Sequence, residues 1–167
     1  MTRPIATLAL LLLLALPVWA GQPIPARCVD AVDGDSLRVE LDGVLVDVRL
    51  LGIDAPEYDQ APWGEVATAF AKDWCARAGV VGLELDVQER DRYRRTLAYV
   101  WSGQSMLNLE LIQRGLAVPY TWPPNVAHAT EIAAAQDQAR AARAGFWKDG
   151  GLAQSPHDFR KVKSVGE

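Results

Sequence analysis

Alternating apolar and polar residues predict that the first third of the chain is rich in strands. Residues 29–32 and 37–41 alternate as half-buried strands do, and Gly34 lies in the turn between them. Asp42-Gly43 is a common hairpin turn, and it leads into a mostly apolar run at 44–53. The pattern therefore predicts three consecutive antiparallel strands joined by tight turns.

The rest of the chain combines helical spacing with two further strands. The predicted elements are, in order, a helix over 64–78, strands over 81–87 and 96–101, a short helix over 105–115, an extended segment over 116–120 and an alanine-rich helix over 127–144. Gly79 is a plausible end for the first of these helices. Phe146 and Trp147 follow the last one, and we expect them to dock on the core.

This order of elements favours a small barrel. Five short strands with an interposed helix are typical of a five-stranded Greek-key barrel of the OB type. We therefore predict an α+β fold, in which a β-barrel over residues 21–147 carries three flanking helices. Residues 148–167 are expected to form a flexible C-terminal tail, in which 159–162 can add a short strand.

The N-terminus has the organisation of a secretory signal peptide. A single positive charge at Arg3 precedes an apolar run at 5–16, and small residues precede Gly21. We predict that residues 1–20 are removed and that the protein is exported, periplasmic or secreted, with no membrane attachment afterwards. The alternative is an uncleaved N-terminal membrane anchor.

The two cysteines, Cys28 and Cys75, bear on the same compartment. Export to an oxidising compartment favours a disulfide between them, and the alternative is two buried free thiols.

The formal net charge of −4 limits the kind of nucleic-acid binding that the chain can support. An acidic total disfavours broad, nonspecific binding to polyanions. A phosphate-binding surface must therefore be a local patch.

Three acids and one arginine lie within an otherwise apolar, strand-like segment. Asp35 follows the first turn, Arg49 lies in the third strand, and Asp54 and Glu57 follow that strand. Charged groups are rarely buried unless they are paired or bind a metal. Neighbouring strands are about 4.8 Å apart, so the carboxylates can converge on one hard cation beside an arginine that can bind phosphate. The segment indicates metal-assisted phosphodiester chemistry.

Each part of this cluster also has a purely structural interpretation. The sequence VDGDS at 32–36 forms turns readily, and DAPE at 54–57 can start a helix. Arg49 can lie on the solvent side of its strand.

A second set of candidates could supply the other half of such a site. The sequence DRYRR at 91–95 offers guanidinium groups for a phosphate and Tyr93 for an aromatic contact, or it is an ordinary solvated surface. Tyr120 and Trp122 stand among prolines and are candidates for base stacking, or they belong to the core. The histidines, His128 and His157, are predicted to be surface residues, and no zinc-ligand spacing is present.

These motifs together resemble the staphylococcal nuclease (thermonuclease) family. VDGDS at 32–36, RLLGIDAPE at 49–57 and DRYRRTLAY at 91–99 look like three signatures of that family. The resemblance extends from about residue 28 to residue 147, and it implies an OB barrel with helices, as predicted above.

The resemblance also implies a role for the acids. Asp35, Asp54 and the backbone carbonyl of Ala55 would be Ca²⁺ ligands. Glu57 would act on the attacking water, as a general base or by orienting it.

The basic and aromatic residues would act on the substrate. Arg49 and Arg95 would bind the scissile phosphate and stabilise the negative charge of the transition state. The residues that would hold the substrate nucleotide and its terminal phosphate are Arg92, Tyr93 and Tyr120, and Trp122 stands where the family has an aromatic ring or similar. One departure is Arg94, at a position where the family usually has glycine; a positive φ there would strain the chain.

The implied function is an exported, Ca²⁺-dependent nuclease that acts as a monomer. Its substrates would be DNA and RNA, with single-stranded or denatured chains favoured, little sequence preference and 3′-phosphate products. Two other functions remain open at this point: a catalytically inactive OB-fold module that binds nucleic acid, and a Ca²⁺-binding envelope protein. A Ca²⁺-binding envelope protein would give Arg49 and Arg95 no function.

Overall fold

A computed structural model describes residues 22–165 of the chain. The predicted signal peptide, residues 1–20, lies outside the described residues. Among the helices of the described part, none has the length and apolarity needed to cross a membrane.

Eight strands and five helical segments make up the described residues. The strands are β1 (Ile24–Ala31), β2 (Ser36–Leu41), β3 (Val44–Leu50), β4 (Ile53–Asp54), β5 (Val80–Glu84), β6 (Thr96–Ser102), β7 (Ser105–Met106) and β8 (Val118–Pro119). The helices are α1 (Trp63–Ala78), α2 (Leu107–Gln113), α3 (Ala129–Ala141) and α4 (Pro156–Val165), with a 3₁₀ helix at Gly145–Asp149.

Five of the strands close into a barrel. Antiparallel pairing runs in the order β3-β2-β1-β5-β6, and a parallel pairing of β3 with β6 closes the circle. β7 extends the edge at β6, while β4 and β8 form a separate two-stranded sheet. The predicted α+β barrel is therefore confirmed, with four α-helices among the described residues where three were expected.

The barrel interior is filled by alternate side chains of its strands. The inward residues of β2 and β3 are Leu37, Val39, Val48 and Leu50, all buried. Each such side chain contributes roughly 1.5–3 kcal/mol when it leaves water. Ala67 and Ala71 of α1 are also fully buried, and their small size lets this helix lie close against the barrel.

Covalent and aromatic contacts attach the outer elements. Cys28 of β1 and Cys75 of α1 form a disulfide. The buried Phe146 stands edge-on to Trp63 with ring centroids 6.1 Å apart, so the end of the barrel domain docks on the start of α1. Asn108 of α2 donates to the carbonyl of Leu51 and accepts from the N–H of Val100, which ties α2 to the barrel.

The C-terminal segment differs from the expected flexible tail. It contains helix α4, so the short strand expected at 159–162 is wrong. The start of this helix has a recognisable capping sequence, because Ser155 precedes a proline at the first helical position. The Ser155 hydroxyl accepts the N–H of Asp158 at 3.1 Å and donates to its carboxylate at 2.7 Å.

His128 is not the surface residue that was predicted. Its side chain is 16% exposed and bonds to Glu84 of β5 and Glu131 of α3. Burial lowers the pKa of this imidazole, but the two carboxylates outweigh burial and raise the pKa above its ordinary value. His128 therefore joins the start of α3 to the barrel, and its ring lies 4.4 Å from that of Tyr99.

Candidate active site

The turn after β1 places Asp35 inside the protein. A Cβ on Gly34 would lie 2.6 Å from the Cβ of Ala55, so only glycine lets this turn approach so closely. Asp33 accepts the N–H of Asp35 at 2.9 Å and holds the turn. The carboxylate of Asp35 then accepts the N–H of Ala55 at 2.8 Å. The turn interpretation of VDGDS is thus correct, and the turn also delivers an acid to the cluster.

The register of the barrel brings together Asp35, Arg49 and the basic loop, which is the arginine-rich segment at 91–95. Arg49 of β3 pairs with Ser36 of β2 on one side and with Leu97 of β6 on the other. Asp35 directly precedes Ser36, and Arg95 stands two residues before Leu97. Adjacent strands therefore set Arg49 between residues that are far apart in sequence.

Asp54 is held by the small sheet of β4 and β8. Asp54 pairs with Val118, and Gly52 accepts the N–H of Tyr120 at 2.8 Å. The Asp54 side chain is 1% exposed. We call Asp35, Asp54 and Glu57 the acid cluster. Because β8 leads directly into Tyr120, the same pairing places Tyr120 beside the strand that carries Asp54.

Arg49 joins the two aspartates at one point. Its Nη2 lies 3.0 Å from Oδ2 of Asp35 and 3.1 Å from Oδ1 of Asp54. Its Nη1 donates to the carbonyls of Leu50 at 2.7 Å and Ile53 at 3.0 Å. With a side chain only 15% exposed, Arg49 is not on the solvent side of its strand, and both carboxylates face the same guanidinium.

Burial makes the ionisation of Asp35 costly. Burial raises the pKa of Asp35 to about 7, although Arg49 and the Ala55 N–H favour its ionised form and Asp33 and Asp54 oppose it. An additional cation beside Asp35 would lower this pKa and relieve the cost of ionisation.

Arg160 of α4 supplies a positive charge to the other two acids, Asp54 and Glu57, and the sequence reasoning missed it. Its Nη2 donates to both oxygens of Asp54, at 3.0 and 2.9 Å, and its Nη1 donates to Glu57 at 2.7 Å. Burial lowers the pKa of Arg160, but the bonds to Asp54 and Glu57 outweigh it and hold this pKa above its ordinary range. The capping sequence at Ser155 could have predicted the helix, but not that Arg160 would contact these acids.

A tight turn presents Arg95. One oxygen of Asp91 accepts the N–H groups of Tyr93 and Arg95, each at 2.9 Å, and the other accepts Arg95 Nε at 2.8 Å. The Arg95 guanidinium lies 5.7 Å from the Tyr93 ring centre, and that of Arg92 lies 4.7 Å from it. The loop thus forms one stacked basic and aromatic surface.

The acids and the basic loop line one open cleft of about 1010 Å³. The predicted site residues in its lining are Asp35, Arg49, Glu57, Arg92, Tyr93, Arg95, Tyr120 and Trp122. Asp54 and Ala55 are buried. Trp122 is 71% exposed and Tyr93 65%, so the interpretation of Trp122 as a core residue is wrong. Exposed rings beside guanidinium groups suit a ligand with flat bases and phosphates.

The chemistry of the donors fits Ca²⁺. Across residues 22–165, no group of three or more His, Cys, Asp or Glu side chains is arranged to hold a metal ion. The carboxylates of Asp35, Asp54 and Glu57 are instead bonded to Arg49 and Arg160. Two buried carboxylates that face one point are nonetheless hard oxygen donors, which Ca²⁺ prefers.

Arg94 has the strained backbone that the missing glycine predicted. Its φ is 69°, in the left-handed region. This conformation destabilises the folded state by roughly 1–2 kcal/mol for a residue other than glycine. Glycine avoids that cost, but its greater freedom in the unfolded chain offsets part of the gain. We expect Arg94→Gly to raise the free energy of unfolding by about 0.5–1 kcal/mol.

Urea unfolding followed by tryptophan fluorescence measures this effect. Arg94→Ala is the matched control, because alanine removes the side chain and keeps the strain. Equal stabilities for the glycine and alanine variants would show that the backbone at Arg94 stores no strain.

Comparison with known proteins agrees with this geometry. A sequence model of the family described as "Staphylococcal nuclease homologue" matches residues 47–149. The chain is 37% identical over 128 residues to a thermonuclease of Staphylococcus hyicus, which covers 74% of this chain and 75% of the relative. It is also 37% identical over 122 residues to a thermonuclease of Staphylococcus intermedius, covering 70% and 72% of the two chains. An uncharacterized endonuclease of Haemophilus influenzae is 31% identical over 160 residues, which is 95% of this chain and 85% of that protein. The family model spans more than half of the chain, and these relatives align over most of their own length; the chain therefore belongs to the staphylococcal nuclease family.

Proposed function

We propose that this chain, a hydrolase of phosphodiester bonds by family, is an exported Ca²⁺-dependent nuclease. Its substrates are DNA and RNA, with denatured or single-stranded chains favoured, and its products carry 3′-phosphate ends. Related proteins named thermonuclease and endonuclease support the nuclease activity itself. The predicted signal peptide supports export to the periplasm or the medium.

The juxtaposition of Asp35, Arg49 and Arg95 carries the proposal. Acids buried together are costly, and the basic loop beside them is open to solvent in the same cleft. A structural role would not require an exposed phosphate-binding loop beside buried acids. A purely binding surface would not require the acids.

The ion would be held by the carboxylates of Asp35 and Asp54 and by the carbonyl of Ala55. The chemistry that a Ca²⁺ ion held there would supply is polarisation of a phosphoryl oxygen and a lower pKa of bound water. The carboxylate of Asp35 accepts the backbone N–H of Ala55, and this bond keeps Asp35 next to Asp54 and Ala55.

Each arginine then has a distinct task. Arg95 lies at the cleft and offers its remaining N–H groups to phosphate oxygens, where a planar guanidinium can bind two at once. It is held by Asp91, so little reorganisation is needed as charge develops in the transition state. Nη1 of Arg49 donates to two backbone carbonyls, which fix the position of the guanidinium. The fixed guanidinium in turn positions the two aspartates that it contacts.

Glu57 handles the attacking water, as a general base or by orienting it. Its carboxylate lines the cleft and its side chain is 34% exposed, so water can reach it. Stacking of bases on Tyr93, Tyr120 and Trp122 is tolerant of sequence, because every base has a flat face. This agrees with a nuclease of low sequence preference.

A cleavage assay tests the proposal. Residues 21–167, which contain every described element, are incubated with denatured DNA and with RNA, in Ca²⁺ or in excess chelator. We expect cleavage in Ca²⁺ alone, with product ends that can be ligated to a 5′-phosphorylated adaptor only after a phosphatase has removed their 3′-phosphate. Binding of nucleic acid without cleavage in Ca²⁺ would contradict the proposal and would indicate an inactive OB-fold module.

A further inference from the structure

Arg160 lies where a cation would be needed. Its Nη2 donates to both carboxylate oxygens of Asp54, and its Nη1 donates to Glu57. Asp54 is almost completely buried, so an ionised carboxylate there requires a positive partner. Arg49 provides one such partner at 3.1 Å, and Arg160 of the C-terminal helix provides a second at 2.9 Å.

Polar contacts hold α4 against the mouth of the cleft. Lys163 lies 2.8 Å from a carboxylate oxygen of Asp59, and Gln60 donates to the carbonyl of Gln154 at 2.7 Å. The ring of His157 lies 5.8 Å from that of Tyr120. The helix is therefore anchored on both sides of Arg160, and His157, Arg160 and Lys161 line the cleft.

Arg49 and Arg160, the two arginines that contact the acid cluster, differ in how firmly they are held. Arg49 belongs to a barrel strand and is bonded to two backbone carbonyls besides the acids. Arg160 belongs to a peripheral helix, and its side chain is 40% exposed. Arg160 can therefore leave the acids without disturbing the barrel, whereas Arg49 cannot.

A guanidinium and a divalent cation compete for the same carboxylate. Both need the oxygens of Asp54, and their positive charges repel each other at contact distance. The repulsion is strong because the carboxylate is buried and poorly screened by solvent. Arg160 occupies both oxygens of Asp54, whereas Arg49 contacts only Oδ1, so the cation must displace Arg160 to reach Oδ2.

We propose that Arg160 is a built-in competitor of the divalent cation, and that the nuclease is inhibited by its own C-terminal helix until the cation displaces this side chain. The inference rests on the proposed function, because it assigns the cation to Asp54. It makes the site respond to cation concentration, since binding must first break the bonds of Arg160 to Asp54 and Glu57. An exported enzyme of this design stays inactive where the cation is scarce.

Calorimetric titration with Ca²⁺ measures the competition without reference to activity. We expect Arg160→Gln, in residues 21–167, to lower the dissociation constant for Ca²⁺ at least about tenfold, which corresponds to roughly 1.4 kcal/mol. Lys72→Gln is the control, since it removes one positive charge from an exposed position of α1 that does not line the cleft. We expect its dissociation constant to stay within about twofold of that of the unchanged protein.

A second variant keeps the proposal testable if Arg160→Gln does not fold. Lys163→Gln removes an anchor of α4 without touching Asp54, and it should tighten Ca²⁺ binding by a factor between those of the other two variants. Thermal unfolding in chelator verifies that each protein is folded. An unchanged or raised dissociation constant in Arg160→Gln overturns the proposal, and if that variant does not fold, an unchanged constant in Lys163→Gln overturns it.

Cleavage at saturating Ca²⁺ separates this inference from the proposed function. Tighter binding in Arg160→Gln without cleavage by any of the proteins supports the competition and contradicts the nuclease proposal. Cleavage of DNA together with equal Ca²⁺ affinities in Arg160→Gln and the unchanged protein supports the nuclease proposal and contradicts the competition. Failure of every variant to bind Ca²⁺ overturns the competition as well.

Discussion

Replacement of Glu57 by glutamine is expected to lower kcat for Ca²⁺-dependent DNA cleavage about 10²–10⁴-fold. Glutamine keeps the size of the side chain and can still accept the bond from Arg160, which now reaches Glu57 at 2.7 Å. It cannot take a proton, and it orients water less strongly than a carboxylate. The loss should therefore fall on kcat, while the KM for DNA changes little, because the basic and aromatic surface is intact.

Single-turnover cleavage at saturating Ca²⁺ measures this effect. Glu65→Gln is a matched control, because Glu65 is an exposed acid in the first turn of α1. We expect it to cleave DNA at the rate of the unchanged protein. A kcat for Glu57→Gln within threefold of that rate would remove Glu57 from the chemistry.

Removal of the disulfide is expected to lower the free energy of unfolding by about 4 kcal/mol. The cross-link joins residues separated by 47 positions, and it restricts the unfolded chain correspondingly. It also ties β1 to α1, and the chain between them contains Asp35, Arg49, Asp54 and Glu57. A domain of this size is typically stable by about 5–15 kcal/mol, so the loss is a large part of the total.

Urea unfolding of the double variant Cys28→Ala/Cys75→Ala measures this loss. Alanine is preferred to serine because both positions are buried, and a hydroxyl there would need a partner. The unchanged protein in a thiol reductant serves as a second comparison and should lose a similar amount. A change below about 1 kcal/mol would show that the cross-link does not limit the unfolded chain as the loop-entropy account requires.

Local rules predicted most of the barrel. Strand alternation and the Asp42-Gly43 turn placed β2 and β3, and helical spacing placed α1 within a residue of its observed start. The predicted third strand was too long, because the chain turns at Gly52 with a φ of 77° and resumes as β4. The helix predicted over 127–144 ends at Ala141, and the predicted strand at 81–87 ends at Glu84.

The candidate site was predictable because its residues stand in short motifs. The hypothesis that Asp35, Arg49 and Asp54 converge depended on strands that pair as neighbours. The register of β2 with β3 brings Asp35 to Arg49, and β4, which follows β3 after the turn at Gly52, carries Asp54 to the same arginine. The strain at Arg94 was predictable for a similar reason, since a turn that normally takes glycine leaves a left-handed residue. The first depends on the pairing of strands that follow one another in sequence, and the second on a single turn.

Long-range contacts were not predictable in this way. His128 was predicted to be a surface residue because it is far in sequence from the acids at 35–57, and its partner Glu84 lies 44 positions away. Arg160 looked like part of a polar tail, and its partner Asp54 lies 106 positions away. No periodicity links residues so far apart.

By itself, then, the amino-acid sequence determined the barrel, its family and the membership of the acid and basic motifs, because these follow from hydrophobic periodicity, turn residues and contiguous side chains. Only the tertiary structure decided which charges meet. The docking of α4 sets Arg160 on Asp54 and Glu57, and the pairing of β4 with β8 sets Tyr120 at the cleft. Such contacts depend on how whole elements pack, and a buried carboxylate accepts whichever cation that packing brings within reach.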